Sequence, residues 1–444
     1  MSVTSMFESP GFRKYLNNFS WLFVDRVVRM AMVLGTTVVV SRYLGVERIG
    51  QLNYALAIVS IAMVFTSLGA NEVVSRDLVR HPERRDELMG STFAIKLFGG
   101  IILNLGLLLY VFLKGLDQFT IMLVMITASA ELLKWSTVID NYFMAEVRGN
   151  VAAKVNIAST LFASGYKLLL VWMKAPLVWF AWGYFAETFS YTVGFLWVYH
   201  RNGLRYRDWR PTWRMVRYIM DQSWPMLVYG FALQAQLKVD QVMIKDILSR
   251  TLGESFANIE LGQYSVAVKM LEAIAFLPVV VQLAVAPAIA KARVMDINLY
   301  HERLTNQYRL MFCLFLLTAI PMYLLSEWGI VLLYGEQFRE SGILLSLFSF
   351  RLIFAFMGVA KGSFITNEGL FKFSLVTSVI GAVVSIAMNA WLIPVIGARG
   401  AIWASIASFL VSIFIVDLFT PSTRINFRLM MHGMSTFWKL RSVK

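Results

Sequence analysis

Residues 17–40 read NNFSWLFVDRVVRMAMVLGTTVVV. The stretch is long enough to cross a bilayer, for which about 20 mostly apolar residues suffice. Yet Asp25, Arg26 and Arg29 sit near its middle. A charge at the bilayer centre costs roughly 2.5–3.5 kcal/mol on insertion scales. These groups are therefore expected to face a bundle interior or a watery cavity. Asp25 and Arg29 are four residues apart and share a helix face, with Arg26 beside them. One acid offsets one base, and the face keeps surplus positive charge. Two readings follow: a cavity for something anionic, or internal pairing that only ties this helix to its neighbours.

The rest of the chain extends that pattern. Of 444 residues, 58% are hydrophobic and 15% charged, against about 45–50% and about 25% in soluble domains. The composition is that of an all-α polytopic membrane protein. Apolar runs place twelve spans at residues 17–40, 50–70, 91–113, 119–139, 151–173, 177–199, 223–248, 262–287, 308–328, 341–360, 371–393 and 401–419. The segment NEVVSRDLVRHPERRDELMG between spans 2 and 3 reads as a loop with a surface helix. The start of the chain shows no cleavable signal peptide.

The formal net charge is +14, but the basic residues cluster in short loops between apolar runs. That is the signature of membrane orientation rather than nucleic-acid binding. Alternate loops hold Arg13 and Lys14, then Arg76, Arg80, Arg84 and Arg85, then Arg148, then six arginines between Arg201 and Arg217. Lys291, Arg293 and Arg303 follow, then Lys361 and Lys372, and finally Arg424, Arg428, Lys439, Arg441 and Lys444. The opposite loops hold Arg42, Arg48, Lys114, Lys174, Arg250, Arg339 and Arg399. The asymmetry puts both termini in the cytoplasm. The outward loops are too short for a separate soluble domain.

The lone Cys313 permits no internal disulfide, and the four histidines show no metal-ligand spacing. No cofactor, metal or catalytic residue is implied, so an enzyme such as a glycan polymerase or ligase is disfavoured.

The halves echo each other. Ser20-Trp21 opens span 1 and Ser223-Trp224 opens span 7. LGVERIGQLNYALAI follows span 1 from Leu44; LGESFANIELGQYSVAV follows span 7 from Leu252. Both read Leu-Gly, a short polar loop, then Gly-Gln. Six spans per half give parallel repeats, with a substrate site expected between them near the midplane. The organisation is then 1–205 and 223–420 as two six-helix bundles, 206–222 as a basic connector and 421–444 as a basic tail. The connector's arginines and tryptophans are expected at headgroup level.

Span 7 carries Gln234, Lys238, Gln241 and Lys245 as one polar stripe, with Gln236 and Asp240 offset from it. Lys245 is placed to snorkel; Lys238 lies deeper. Lys269 and Glu272 are three apart and placed to pair. Lys167, Glu187 and Arg351 sit inside apolar runs, each open to a cavity or a structural pair. Glu131 and Lys134 read as a local pair, and Asp417 as near enough to a span end to reach water. Ser374, Ser378, Gly381, Ser385 and Asn389 on span 11 read as a close helix contact.

Four motifs then carry a resemblance. They are Arg42-Tyr-Leu-Gly45-Val-Glu-Arg-Ile-Gly50; Leu68-Gly69 with Arg76; Asp240-Gln-Val-Met-Ile244 with Gly262-Gln-Tyr264 and Ala267; and Asn389-Ala-Trp-Leu-Ile-Pro394-Val-Ile-Gly397-Ala-Arg-Gly400-Ala401. In order and spacing the chain resembles the bacterial polysaccharide (O-antigen-type) flippases of the multidrug/oligosaccharidyl-lipid/polysaccharide exporter superfamily. The resemblance implies two six-helix bundles around a central cavity in the bacterial inner membrane. It implies flipping of an undecaprenyl-pyrophosphate-linked glycan by alternating access, driven by an ion gradient. Glycan polymerase and other assembly-complex proteins are the implied partners. Arg26, Arg29, Gln234, Lys238, Gln241, Lys269 and Arg351 are then the expected substrate contacts. Asp25 or Asp240 is the expected ion-coupling group, for H⁺ or Na⁺. A multidrug exporter of the same superfamily is the rival, disfavoured because a cationic drug calls for surplus acid.

Overall fold

The computed structural model describes residues 10–439, with side chains from Ser20 onward except at position 22. Arg13, Lys14, Arg441 and Lys444 thus fall outside the described residues or side chains, as do the extreme ends of the first and last sequence intervals. Among the described residues all regular structure is helical. The main elements are α1 (Pro10–Ala62), α2 (Val64–Ser67), α3 (Ala70–Arg80), α4 (Arg85–Lys114), α5 (Gln118–Ser129), α6 (Thr137–Ala145), α7 (Gly149–Trp172) and α8 (Leu177–Arg201). They continue with α9 (Trp213–Leu252), α10 (Glu254–Ile274), α11 (Leu277–Met295), α12 (Ile297–Tyr334), α13 (Arg339–Phe348), α14 (Leu352–Asn367), α15 (Phe371–Leu410), α16 (Val416–Phe419) and α17 (Pro421–Ser435).

Eight stretches are long and apolar enough to cross a membrane. Two of them hold two spans each. In α1 the helix is broken at Gly45 (φ 77°, ψ 171°), and in α15 at Ile396 and Gly397. The helices α8 and α9, of 25 and 40 residues, fall outside those eight stretches but have the length to cross. With them the described residues hold the expected twelve spans, and the chain is an all-α polytopic membrane protein.

Several spans depart from unbroken helices. Span 4 is α5, a seven-residue 3-10 stretch at Ala130–Ser136, then α6. Span 10 is α13, a 3-10 turn at Ser349–Arg351, then α14. Span 12 contains a π-helical turn at Val411–Ile415. The helix α9 begins at Trp213, within the expected connector, and the expected tail carries the helix α17.

The contacts divide the chain into two compact units. One is Met1–Tyr43 with Ile58–Phe231; the other is Leu44–Ala57 with Ala232–Lys444. A segment of the N-terminal half thus packs within the second unit. There it meets α10 through the repeated motif itself. A Cβ on Gly50 would lie 1.9 Å from the Asn258 carbonyl oxygen, and one on Gly262 would lie 2.1 Å from that of Val46. Each glycine therefore faces the residue four positions before the other. The crossing is reciprocal, and only hydrogen fits at its centre. The two Leu-Gly pairs before it also match. Gly45 and Gly253 both have positive φ (77° and 93°), which glycine alone adopts without strain. Thirteen residues beyond the crossing glycine each helix breaks, at Met63 and at Ala275.

Gly50→Ala and Gly262→Ala are each expected to destabilise by about 1–3 kcal/mol, as overpacked sites do. Gly165, with nothing within 4 Å, tolerates alanine. Thermal unfolding in detergent checks this; equal midpoints for Gly50→Ala and Gly165→Ala would contradict the crossing.

Candidate functional site

In the first unit a polar cluster gathers residues from five spans. On α1, Asp25 is buried and its Oδ1 lies 3.6 Å from Arg29 Nε. Arg29 is half-buried and Arg26 exposed. Asn156 of α7 hydrogen-bonds the Asp25 carboxylate. Asp140 of α6 accepts the Tyr191 hydroxyl of α8 at 3.0 Å. It also feels the charges of Arg29, Asp25 and Lys96. Lys96 of α4 is 1% exposed and donates to Thr137 Oγ1. One oxygen each of Asp25 and Asp140 is buried and accepts no hydrogen bond among the described residues. Sequence reading found Asp25 and Arg29 but missed Lys96 and Asp140. Their only signal was a charge inside an apolar run, the same one that flagged Lys167.

In the second unit the stripe on α9 separates by depth. Lys238 Nζ donates to Glu272 Oε1 at 2.7 Å, and Lys269 Nζ to Glu272 Oε2 at 3.2 Å. Two bases of the expected substrate set thus converge on one carboxylate of α10. Gln234 is half-buried and Gln241 buried. Lys245 pairs with Glu254 at the start of α10. Gln236, offset from the stripe, donates to Ser408 Oγ at 2.7 Å. It also packs against Gly381, so span 11 does use its small residues for close contact.

Asp240 is buried. Its Oδ2 accepts the Tyr264 hydroxyl, and its Oδ1 accepts the Gln241 N–H at 2.7 Å. Arg351 lies within electrostatic reach of both Asp240 and Tyr264. Its guanidinium sits 4.9 Å from the Phe409 ring centre and 5.7 Å from that of Phe348. Arg351 is thus an interior cation, held between aromatic faces beside a buried acid.

Other charges are structural pairs. Glu131 pairs with Lys134 at 2.8 Å, as expected, and accepts Thr66 Oγ1 at 2.8 Å. Lys167 lies 3.7 Å from Glu187. Two expectations are corrected. Asp417 does not reach water, because it is fully buried. Lys361 is not a loop residue but is buried in α14. Lys361 Nζ donates to Asp417 Oδ1 at 2.5 Å and to the Ile413 carbonyl at 3.1 Å, an oxygen within the π turn. Asn426 of α17 donates to Asp417 Oδ2 at 3.0 Å, and Tyr308 donates to Asn426 Oδ1 at 2.5 Å. This network docks the tail helix onto α12 and span 12.

Solved structures share the fold of these twelve spans. The fold matches a multidrug resistance MATE family transporter of the MOP superfamily in an inward-facing conformation, with TM-score 0.65 at 13% identity over 93% of this chain and 96% of that one. It matches the lipid II flippase MurJ in an inward closed conformation, with TM-score 0.66 at 13% identity over 95% and 91%. It also matches a MOP superfamily transporter from Pyrococcus furiosus, with TM-score 0.59 at 13% identity over 96% of each chain. No curated protein matches the chain in sequence. Residues 15–293 match the family model described as polysaccharide biosynthesis protein. The chain belongs to that family, and its fold is like that of these membrane transporters.

Replacing one partner of a buried ion pair typically costs about 3–5 kcal/mol, whereas replacing both by apolar groups is often neutral. Lys361→Met is therefore expected to unfold at a clearly lower temperature than Lys361→Met/Asp417→Leu. A double variant no more stable than the single would contradict the pairing.

Proposed function

We propose that the protein flips an undecaprenyl-pyrophosphate-linked oligosaccharide repeat unit from the cytoplasmic to the periplasmic leaflet of the bacterial inner membrane. It does so by alternating access coupled to an ion gradient, with both termini in the cytoplasm. The observation that carries the reading is the convergence of Lys238 and Lys269 on the single carboxylate of Glu272. That trio has a net positive charge and lies on spans 7 and 8. A pyrophosphate needs such a partner inside the membrane, and a cationic drug does not. Arg26, Arg29, Gln234, Lys238, Gln241, Lys269 and Arg351 are assigned to the substrate. Arginine suits phosphate through its planar fork of donors. Asp25 and Asp240 are assigned to the coupling ion; among the described residues Asp25 Oδ1 accepts no hydrogen bond and has the Arg29 guanidinium, 3.6 Å away, as its ionic neighbour. Family membership and the lipid II flippase fold match support a lipid-linked substrate. Glycan polymerase and assembly-complex partners follow from that role.

Arg29→Ala and Lys238→Ala should each reduce surface glycan about tenfold or more, the scale of a lost charge-assisted hydrogen bond of about 1.5–3 kcal/mol. Protein levels in the membrane should hold. The parent test is a deletion strain analysed for surface polymer and lipid-linked intermediates. Single repeat units accumulating on the cytoplasmic leaflet support the flippase. An unchanged glycan profile overturns it in favour of drug or other lipid export.

A further inference from the structure

Only residues 202–212 separate the end of α8 at Arg201 from the start of α9 at Trp213. This strap is built onto the neighbouring helix end. The Arg210 N–H donates to the Asp86 carbonyl at 3.0 Å. Thr212 donates through its N–H to Ser91 Oγ at 3.2 Å and through Oγ1 to Glu87 Oε1 at 2.6 Å. Trp209 Nε1 donates to the Tyr199 hydroxyl at 3.0 Å. Gly90 admits the strap, since a Cβ there would lie 2.8 Å from the backbone nitrogens of Arg210 and Pro211. The strap is thus pinned by backbone and short side chains. Its long cationic side chains are left outward.

Arg205, Arg207 and Arg210 of the strap, and Arg214 just beyond it in α9, are exposed; none is within ion-pair distance of an acid among the described residues, though Glu87 feels the charge of Arg214. Asp208 is the one acid of the strap. Beside them Trp213 is 80% exposed and Tyr206 57% exposed. Exposed aromatic rings of this kind favour the membrane interface. Guanidinium groups favour phosphate esters.

We propose that this strap is a binding site for anionic phospholipid headgroups, which hold the start of α9, the helix that carries Gln234, Lys238 and Gln241. The four arginines are spread along ten residues rather than gathered on one point. That suits a layer of headgroups better than a single pyrophosphate. Because the strap is already ordered, binding carries little ordering penalty. The inference stands on the strap alone and holds whatever the transported substrate is.

The test uses the full-length protein in neutral detergent and follows thermal unfolding. Phosphatidylglycerol is expected to raise the midpoint by roughly 3–5 °C, as a ligand of the folded state does. Phosphatidylcholine should not, and raising the salt should shrink the shift. Arg205→Gln/Arg207→Gln/Arg210→Gln/Arg214→Gln should keep the starting midpoint and lose at least half of the shift. The lysine version of the same four positions should retain most of it. Three results would overturn the site: a full shift in the glutamine variant, a shift indifferent to salt, or a shift given by inorganic pyrophosphate and not by phosphatidylglycerol. If the fourfold variant does not fold, Arg205→Gln/Arg207→Gln decides the matter: part of the shift should be lost, and a full shift would overturn the site.

Discussion

The reciprocal contact of Gly50 and Gly262 is the constraint from which the remaining architecture follows. Each glycine fills a space that a methyl group would take from the other helix's backbone. In a membrane there is little hydrophobic force between helices, so close packing of small residues carries more of the association. Here it also fixes where the first half's chain goes. Leu44–Ala57 must leave the first unit to reach α10 and then return. The positive-φ glycines Gly45 and Gly253 make the entry to the crossing possible, because no L side chain turns there without strain.

A second regularity follows in the same frame. The fourth span of each half is broken by 3-10 turns, at Ala130–Ser136 and at Ser349–Arg351, and both breaks carry charge. Span 12 has its π turn, with Lys361 donating to the Ser412 and Ile413 carbonyls. In hydrocarbon no water is present to satisfy a backbone group that loses its helical partner. A break is therefore tolerated only where a side chain or neighbouring helix supplies one. Lys361 meets that need at the π turn, and Asp417 balances its charge. The buried cation is there because the helix is irregular, and the helix can be irregular because the cation is there.

The fold was legible because length and apolarity act locally. Twelve runs, the charge asymmetry and the doubled Leu-Gly…Gly-Gln motif all lie in the sequence itself. So did neighbours on one helix, such as Asp25 with Arg29 and Glu131 with Lys134. What could not be read depended on partners far along the chain. Lys96 meets residues of α6, more than 40 positions on, and Lys361 meets Asp417 at 56. Neither run shows in advance which charge will be paired. Nor does AELLKWS, with no glycine or proline, announce its 3-10 turn. That irregularity is imposed by packing around it, where Gly100 abuts the Glu131 carbonyl.

These charges sort by what surrounds them, and that sorting carries the functional argument. Lys361 and Asp417 are enclosed, matched one to one and hydrogen-bonded on both sides, which is what a structural pair requires. Lys238 and Lys269 instead share one carboxylate, that of Glu272, which is 44% exposed. An intramembrane surplus of charge persists only if something of opposite sign compensates it for part of the time. Under the proposed function a passing lipid-linked pyrophosphate would be such a group, present during transport and absent between cycles. Glu272 would then hold the two lysines in the interval and yield them to the stronger anion.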